Sequence, residues 1–163
     1  MALAALEEFP KIGPLQGLPA AALADLDRQC RRIEHEAGQI LDQPAAGDGV
    51  FLILQGEAEI RHHRPPAPPL WLENLGPGSL IGAFALLDRP REHCTIQAST
   101  PIRMVLIPPD LFRSLLERHA CVGMRLLHEL IRRVHGLDDR LATLTRAQAE
   151  IEQVRRNLMR FIC

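Results

Sequence analysis

The chain's soft nucleophiles and metal ligands are Cys30, Cys94, Cys121 and Cys163, and their spacing fits no C-x-x-C or other zinc pattern. Free thiols are expected, because a chain of 163 residues with this cysteine content needs no disulfide staples. The adjacent imidazoles of His62 and His63 do not supply a metal pair either. A metal site on a β-roll takes two ligands from one face of a strand, as H-x-H provides, whereas neighbouring strand residues point to opposite faces. No G-x-S-x-G elbow, H-E-x-x-H pair or Walker-type loop occurs. These residues predict neither an enzyme nor a resident cofactor, and function must be sought in binding.

Composition narrows the kind of partner. Nineteen Lys and Arg oppose twenty Asp and Glu for a net charge of −1. That balance is not the footprint of a nucleic-acid binder or of a polybasic membrane patch. No apolar run approaches the roughly 20 residues a membrane helix requires, and the first residues lack a basic leader. The expectation is a cytoplasmic protein with no nucleic-acid and no membrane partner.

The elements follow from period and punctuation. Residues 1 to 32 are helical in character, with Leu18, Ala22, Leu23 and Leu26 at helical spacing and Pro19 where a first-turn proline is tolerated. From Arg32 to Arg103 the pattern changes to short runs of β-formers between Gly and Pro. The predicted strands are Arg32 to Glu36, Gln39 to Asp42, Gly49 to Arg61, Leu70 to Leu75, Thr95 to Ala98 and Ile102 to Ile107. Many short strands at regular spacing predict an antiparallel roll. The stretch Arg64-Pro65-Pro66-Ala67-Pro68-Pro69 gives few ladder donors and reads as an exposed, extended hairpin tip rather than a proline-rich docking motif.

After Pro108-Pro109 the pattern is helical to the end. Asp110 is the predicted N-cap of a short helix carrying Leu111, Leu115 and Leu116 and running to about His119. A longer helix is predicted from about Val122 to Phe161. Within it Leu130, Val134, Leu137, Leu141, Leu144, Gln148 and Ile151 alternate spacings of four and three, the seam of a coiled coil, which predicts a parallel homodimer. Beyond Ile151 the apolar pattern continues at Val154 and Leu158, which predicts a slip in register.

Helix, punctuated roll, then a helix pair ending in a coil is a layout that resembles the cyclic-nucleotide-binding domain. The local runs agree in order: Gly38-Gln39-Ile40 resembles a G-x-I strand entry, and Asp48 through Ile60 resembles the central strand pair turning at a glycine, Gly56. Leu75-Gly76-Pro77-Gly78-Ser79-Leu80-Ile81-Gly82 resembles the run into that family's phosphate-binding cassette. Ala85-Leu86-Leu87 and Thr95-Ile96-Gln97-Ala98 complete it. The resemblance covers about residues 10 to 140. It implies an α+β fold, an antiparallel β-roll or jelly roll flanked by helices, with a binding domain over 1–136 and a dimerisation helix over 137–163. It implies a regulatory, ligand-sensing role in signal transduction, with cyclic AMP, cyclic GMP or another small anion as effector and an unidentified downstream protein as reader. A regulator of the catabolite-activator type would need a winged helix-turn-helix after the coil, and the chain shown has no room for one, so no DNA binding is expected.

In that family the cassette points backbone N–H groups at the cyclic phosphate, a glutamate accepts from the ribose 2′-hydroxyl, and an arginine clamps the phosphate. By resemblance the ligand-facing positions here are Gly82, Ala83, Phe84, Ala85, Arg91, Glu92, His93 and Thr95. Ala83 stands where the glutamate belongs, and counting back from Thr95 puts Glu92 where the arginine belongs. A hydrogen bond to a charged group is worth about 1.5–3 kcal/mol, and a like charge about 4 Å away opposes binding by roughly 4 kcal/mol at an effective dielectric of 20. At about tenfold in affinity per 1.4 kcal/mol, cyclic-nucleotide binding should fall by orders of magnitude. The alternative is a one-residue bulge before Thr95, which would bring Arg91 into the pocket, turn Glu92 to solvent and make the chain a functional cyclic-nucleotide receptor. His93, where the family carries a small residue donating its backbone N–H, would face the anion when protonated or simply line the wall. Haem ligation within the wider group would draw on His35, His62, His93, Cys94 or Cys121, for which surface or packing roles are expected instead, and Cys94, beside the cassette, would sense redox only with a lowered pKa, for which the sequence gives no signal.

Overall fold

A computed structural model describes residues 9–41, 49–63, 65, 66, 68–83, 86 and 94–162, with side chains as far as residue 157. The chain divides into two compact units, Met1–Gly123 and Met124–Cys163.

The first unit opens with a 3-10 turn at Gly13–Leu15, which buries Pro14 and Leu15. Helix α1 follows at Ala20–Gln29 and buries Leu23 and Leu26. Pro19 stands one place outside the helix, as its N-cap, instead of in its first turn. The helical reading of 1 to 32 is therefore too broad. Phe9 to Ile12 are irregular, Arg31 and Arg32 already belong to a strand, and Met1 to Glu8 lie outside the described residues.

Among the described residues eight strands then form two four-stranded antiparallel sheets. They are β1 (Arg31–His35), β2 (Ile40–Leu41), β3 (Val50–Gln55), β4 (Ala58–His62), β5 (Leu70–Leu75), β6 (Leu80–Ile81), β7 (Cys94–Ala98) and β8 (Ile102–Ile107). One sheet runs β1-β8-β3-β6 and the other β2-β7-β4-β5. The expected antiparallel roll is what the chain forms. The predicted limits of β5 and β8 are those observed, and the long run from Gly49 splits into β3 and β4 at Gly56, whose φ is +87°. A Cβ there would sit 2.3 Å from the Pro101 carbonyl oxygen, so glycine is required where this turn meets the β7–β8 turn. The Thr100 hydroxyl accepts from the Glu57 N–H at 2.9 Å and ties the two turns together.

The short strand β6 escapes the sequence reading because two residues carry no period. Its place is set by pairing alone, Leu52 with Leu80 and Phe51 with Ile81. The proline tip does join the antiparallel pair β4 and β5, with Pro65, Pro66, Pro68 and Pro69 exposed. Arg64 and Ala67 lie outside the described residues.

Apolar side chains from both sheets fill the roll. Leu41, Ile53, Ala58, Ile60, Leu75, Ile81, Ile96, Ala98, Ile102 and Met104 form one buried cluster. Among the described residues no polar or charged residue is buried. The core is held by apolar burial, worth about 25 cal/mol per Å² removed from water.

Helix α2 spans Pro109–Arg118. Its N-cap is Pro108 and its first residue Pro109, so Asp110 is not the cap but an exposed first-turn acid beside Arg113. Proline fits there because the first helical N–H groups have no intrahelical partner. The inward face is also corrected, since Phe112 is fully buried with Leu115, while Leu111 and Leu116 are only half-buried.

Helix α3 runs from Ala120 to Ile162. In the second unit it exposes Leu137 (51%), Leu141 (64%), Leu144 (66%) and Ile151 (68%), together with Val134. Leu130 is half-buried and Gln148 exposed. Among the described residues no helix is long and apolar enough to cross a membrane.

Candidate ligand-binding site

The site begins where β5 ends. After Leu75 the chain turns through Gly76 to Ser79, where the Ser79 N–H donates to the Gly76 carbonyl at 3.0 Å. Ile53 on β3 grips this turn from both sides. Its carbonyl accepts from the Gly78 N–H at 2.8 Å, and its own N–H donates to the Ser79 carbonyl at 3.1 Å. Strand β6 then delivers the chain to Gly82, whose φ of +88° lies in the left-handed region that favours glycine. The Gly82 carbonyl accepts from the Leu86 N–H at 3.0 Å, a bond of i to i+4 spacing directly after the glycine.

Ala83, directly after Gly82, is only 3% exposed. Its methyl group is packed away from water and offers no hydrogen-bond acceptor to a ligand hydroxyl. Thr95 lies on β7 opposite Arg61 of β4 and is half-buried. Its neighbour Ile96 belongs to the core cluster and Cys94 packs against it, so strand alternation puts Thr95 on the other face of the sheet. Phe84, Ala85, Arg91, Glu92 and His93 lie outside the described residues.

The remaining histidine and cysteine candidates bring together one pair, His62 with Cys94, among the described residues. His35 pairs with Ile102 in one sheet, His62 pairs with Cys94 in the other, and Cys121 is exposed on α3. Among the described residues no group of three or more His, Cys, Asp or Glu is placed to hold a metal ion. Cys30, Cys94 and Cys121 are free thiols. Burial pushes the Cys30 thiol from its ordinary value of 9.0 up to about 12, with the Asp27 carboxylate adding to the effect. That thiol holds its proton and is a poor nucleophile.

One acid on the core side of the roll was not singled out from sequence. Glu73 stands directly opposite Ile60, and residues directly opposite in an antiparallel pair share a face, so this half-buried carboxylate lies on the face that carries Ile60 into the core. A register shift follows, and Arg61 faces Trp71. Leu72 therefore packs against the core while Trp71 turns outward, its indole N–H donating to Asn74 Oδ1 at 3.0 Å. A lone acid in the Leu70-Trp71-Leu72-Glu73 run was the available signal, but the bulge that sets its face was not legible.

The chain is 31% identical over 113 residues to the cAMP-dependent protein kinase regulatory subunit of Aspergillus fumigatus, a match covering 68% of this chain and 26% of that protein. It is 33% identical over 116 residues to the acetyltransferase Pat of Mycolicibacterium smegmatis, covering 70% of this chain and 32% of the relative. It thus spans a third or less of these relatives. The fold resembles that of the Thermus thermophilus catabolite activator protein, with a TM-score of 0.65 at 22% identity over 81% of this chain and 62% of that one. The family model for the cyclic nucleotide-binding domain matches residues 32–119, from β1 through α2. The roll, the glycine turn after β6 and that match over more than half the chain agree, and the chain belongs to the cyclic nucleotide-binding domain family.

Proposed function

We propose that the chain is a regulatory ligand-sensing module, homodimeric through its last helix, whose cassette keeps the backbone turn but has lost the side chains that hold a cyclic nucleotide. The carrying observation is the buried methyl of Ala83 directly after Gly82. Where the family places a ribose-binding carboxylate, this chain has a group with no acceptor, and Glu92 at the arginine position adds repulsion. Cyclic AMP and cyclic GMP therefore bind weakly or not at all, and the effector is another small ligand. Regulation runs through a population shift of the C-terminal helices between two arrangements rather than through catalysis. The layout is a binding domain over 1–136 and a dimerisation helix over 137–163, supported by the exposed apolar stripe Leu137, Leu141, Leu144 and Ile151.

The names of the relatives favour a second reading, in which Arg91 holds the phosphate and the chain is a true cyclic-nucleotide receptor. Comparing wild type with Arg91→Ala by equilibrium titration separates the two. The proposal expects no saturable binding in either protein at micromolar nucleotide, and the second reading expects tight binding that Arg91→Ala abolishes.

A further inference from the structure

The seam of α3 is not apolar throughout. With Leu130 at a d position, the d layer continues as Leu137, Leu144, Ile151 and Leu158, apolar without a break. The a layer reads Val134, Leu141, Gln148 and Arg155, and turns polar in its second half. In this frame Leu158 falls at d and Val154 at g.

Resting on the dimer reading above, we propose that Gln148 is the register lock of the coil, a polar seam residue that admits only a parallel, in-register pair with a second copy of this chain. The apolar layers alone do not choose. Leu on Leu or Leu on Ile packs about as well after a shift of one heptad, after reversal of one helix, or in a larger bundle. Gln148 does choose, because its amide carries two donors and an acceptor that must be met once the seam closes over them. A parallel in-register pair sets a against a, so the two Gln148 amides lie side by side and each can donate to the other's carbonyl. A shift of one heptad sets Gln148 against Leu141 or Arg155. Reversal sets a against d, and every d residue from Leu130 to Leu158 is apolar.

Charge at the flanking positions points the same way. The charged residues at g are Arg133 and Arg140, and those at e are Asp138 and Glu152. Parallel helices bring g of one chain against e five residues later on the other, which sets Arg133 against the second copy's Asp138. Reversed helices bring g against g and e against e, where no unlike pair exists. Arg133 also binds Glu129 on its own helix at 2.7 Å, which steadies the guanidinium at the edge of the seam.

The test uses the full chain as wild type, Gln148→Asn and Gln148→Leu, each also carrying Leu130→Cys. Sedimentation equilibrium reads the mass, and mass mapping after mild oxidation reads whether a disulfide joins position 130 to position 130. Wild type and Gln148→Asn should be single dimers that form that link. Gln148→Leu should give dimers mixed with heavier species, with the yield of the link down several-fold. A Gln148→Leu protein that stays one dimer with undiminished linking overturns the lock. A wild-type dimer without the 130-to-130 link overturns it too, while sparing the dimer, and a wild-type monomer overturns the dimer reading and the lock together.

Discussion

The backbones of Gly13 and Gly78 meet with no room for a side chain on either. A Cβ on Gly13 would lie 2.1 Å from the Gly78 carbonyl oxygen, and one on Gly78 would lie 2.8 Å from the Gly13 nitrogen. Both residues have positive φ, 53° and 90°. This crossing clamps the N-terminal turn onto the β5–β6 turn, four residues before Gly82, and so braces the segment that enters the ligand site. Gly13→Ala and Gly78→Ala should each cost at least about 2 kcal/mol, combining left-handed strain of roughly 1–2 kcal/mol with a backbone clash. Urea denaturation checks this, and a loss under about 0.5 kcal/mol, the scatter of ordinary surface substitutions, would show that the two turns do not meet.

Restoring the missing side chains should restore the ligand. Ala83→Glu alone buries a carboxylate without a partner and should lower stability by about 1–3 kcal/mol while leaving cyclic-nucleotide binding weak. Ala83→Glu combined with Glu92→Arg should raise cyclic AMP affinity at least about a hundredfold, from two charge-assisted contacts of about 1.5–3 kcal/mol each. Calorimetry on the pair of variants decides it. An unchanged affinity in the double variant would mean that these positions do not face the ligand.

Cys30 should make stability fall in alkali. Its folded pKa is raised to about 12 from 9.0, so the native state holds a proton that the unfolded chain releases. The contribution is complete below pH 9 and is lost as pH rises toward 12. Compared with Cys30→Ala, the wild type should lose urea resistance faster over that window, and parallel curves would remove the thiol from the account. At pH 8 a maleimide should label the exposed Cys121 well before Cys30.

The dimer claim rests on the stripe along α3. Replacing Leu137 and Leu144 with Ser removes two consecutive d layers and should convert the dimer to a monomer by sedimentation velocity, with the roll still folded by circular dichroism. A persistent dimer would place the interface elsewhere.

The roll was legible because burial imposes period. Strands β5 and β8 could be delimited to the residue, and the Gly56 turn could be placed, since alternation and glycine report directly on face and φ. Strand β6 was not legible, because Leu80 and Ile81 are strand only by pairing with β3. The cap of α2 was misplaced because a proline pair can end an extended segment or begin a helix, and here Pro108 caps while Pro109 opens the first turn. Site residues read from the family pattern fared unevenly. Gly82 and Ala83 have definite places at the end of β6, and Thr95 lies on the face of β7 opposite the one that carries Ile96 into the core.

The most direct test of the central claim is calorimetric titration of the wild-type chain with cyclic AMP and cyclic GMP. The account predicts no saturable heat from either nucleotide at concentrations that fill a micromolar site, because Ala83 offers no acceptor and, in the proposed reading, Glu92 stands at the family's arginine position. Saturable micromolar binding, lost in Arg91→Ala, would contradict it and make the chain a cyclic-nucleotide receptor.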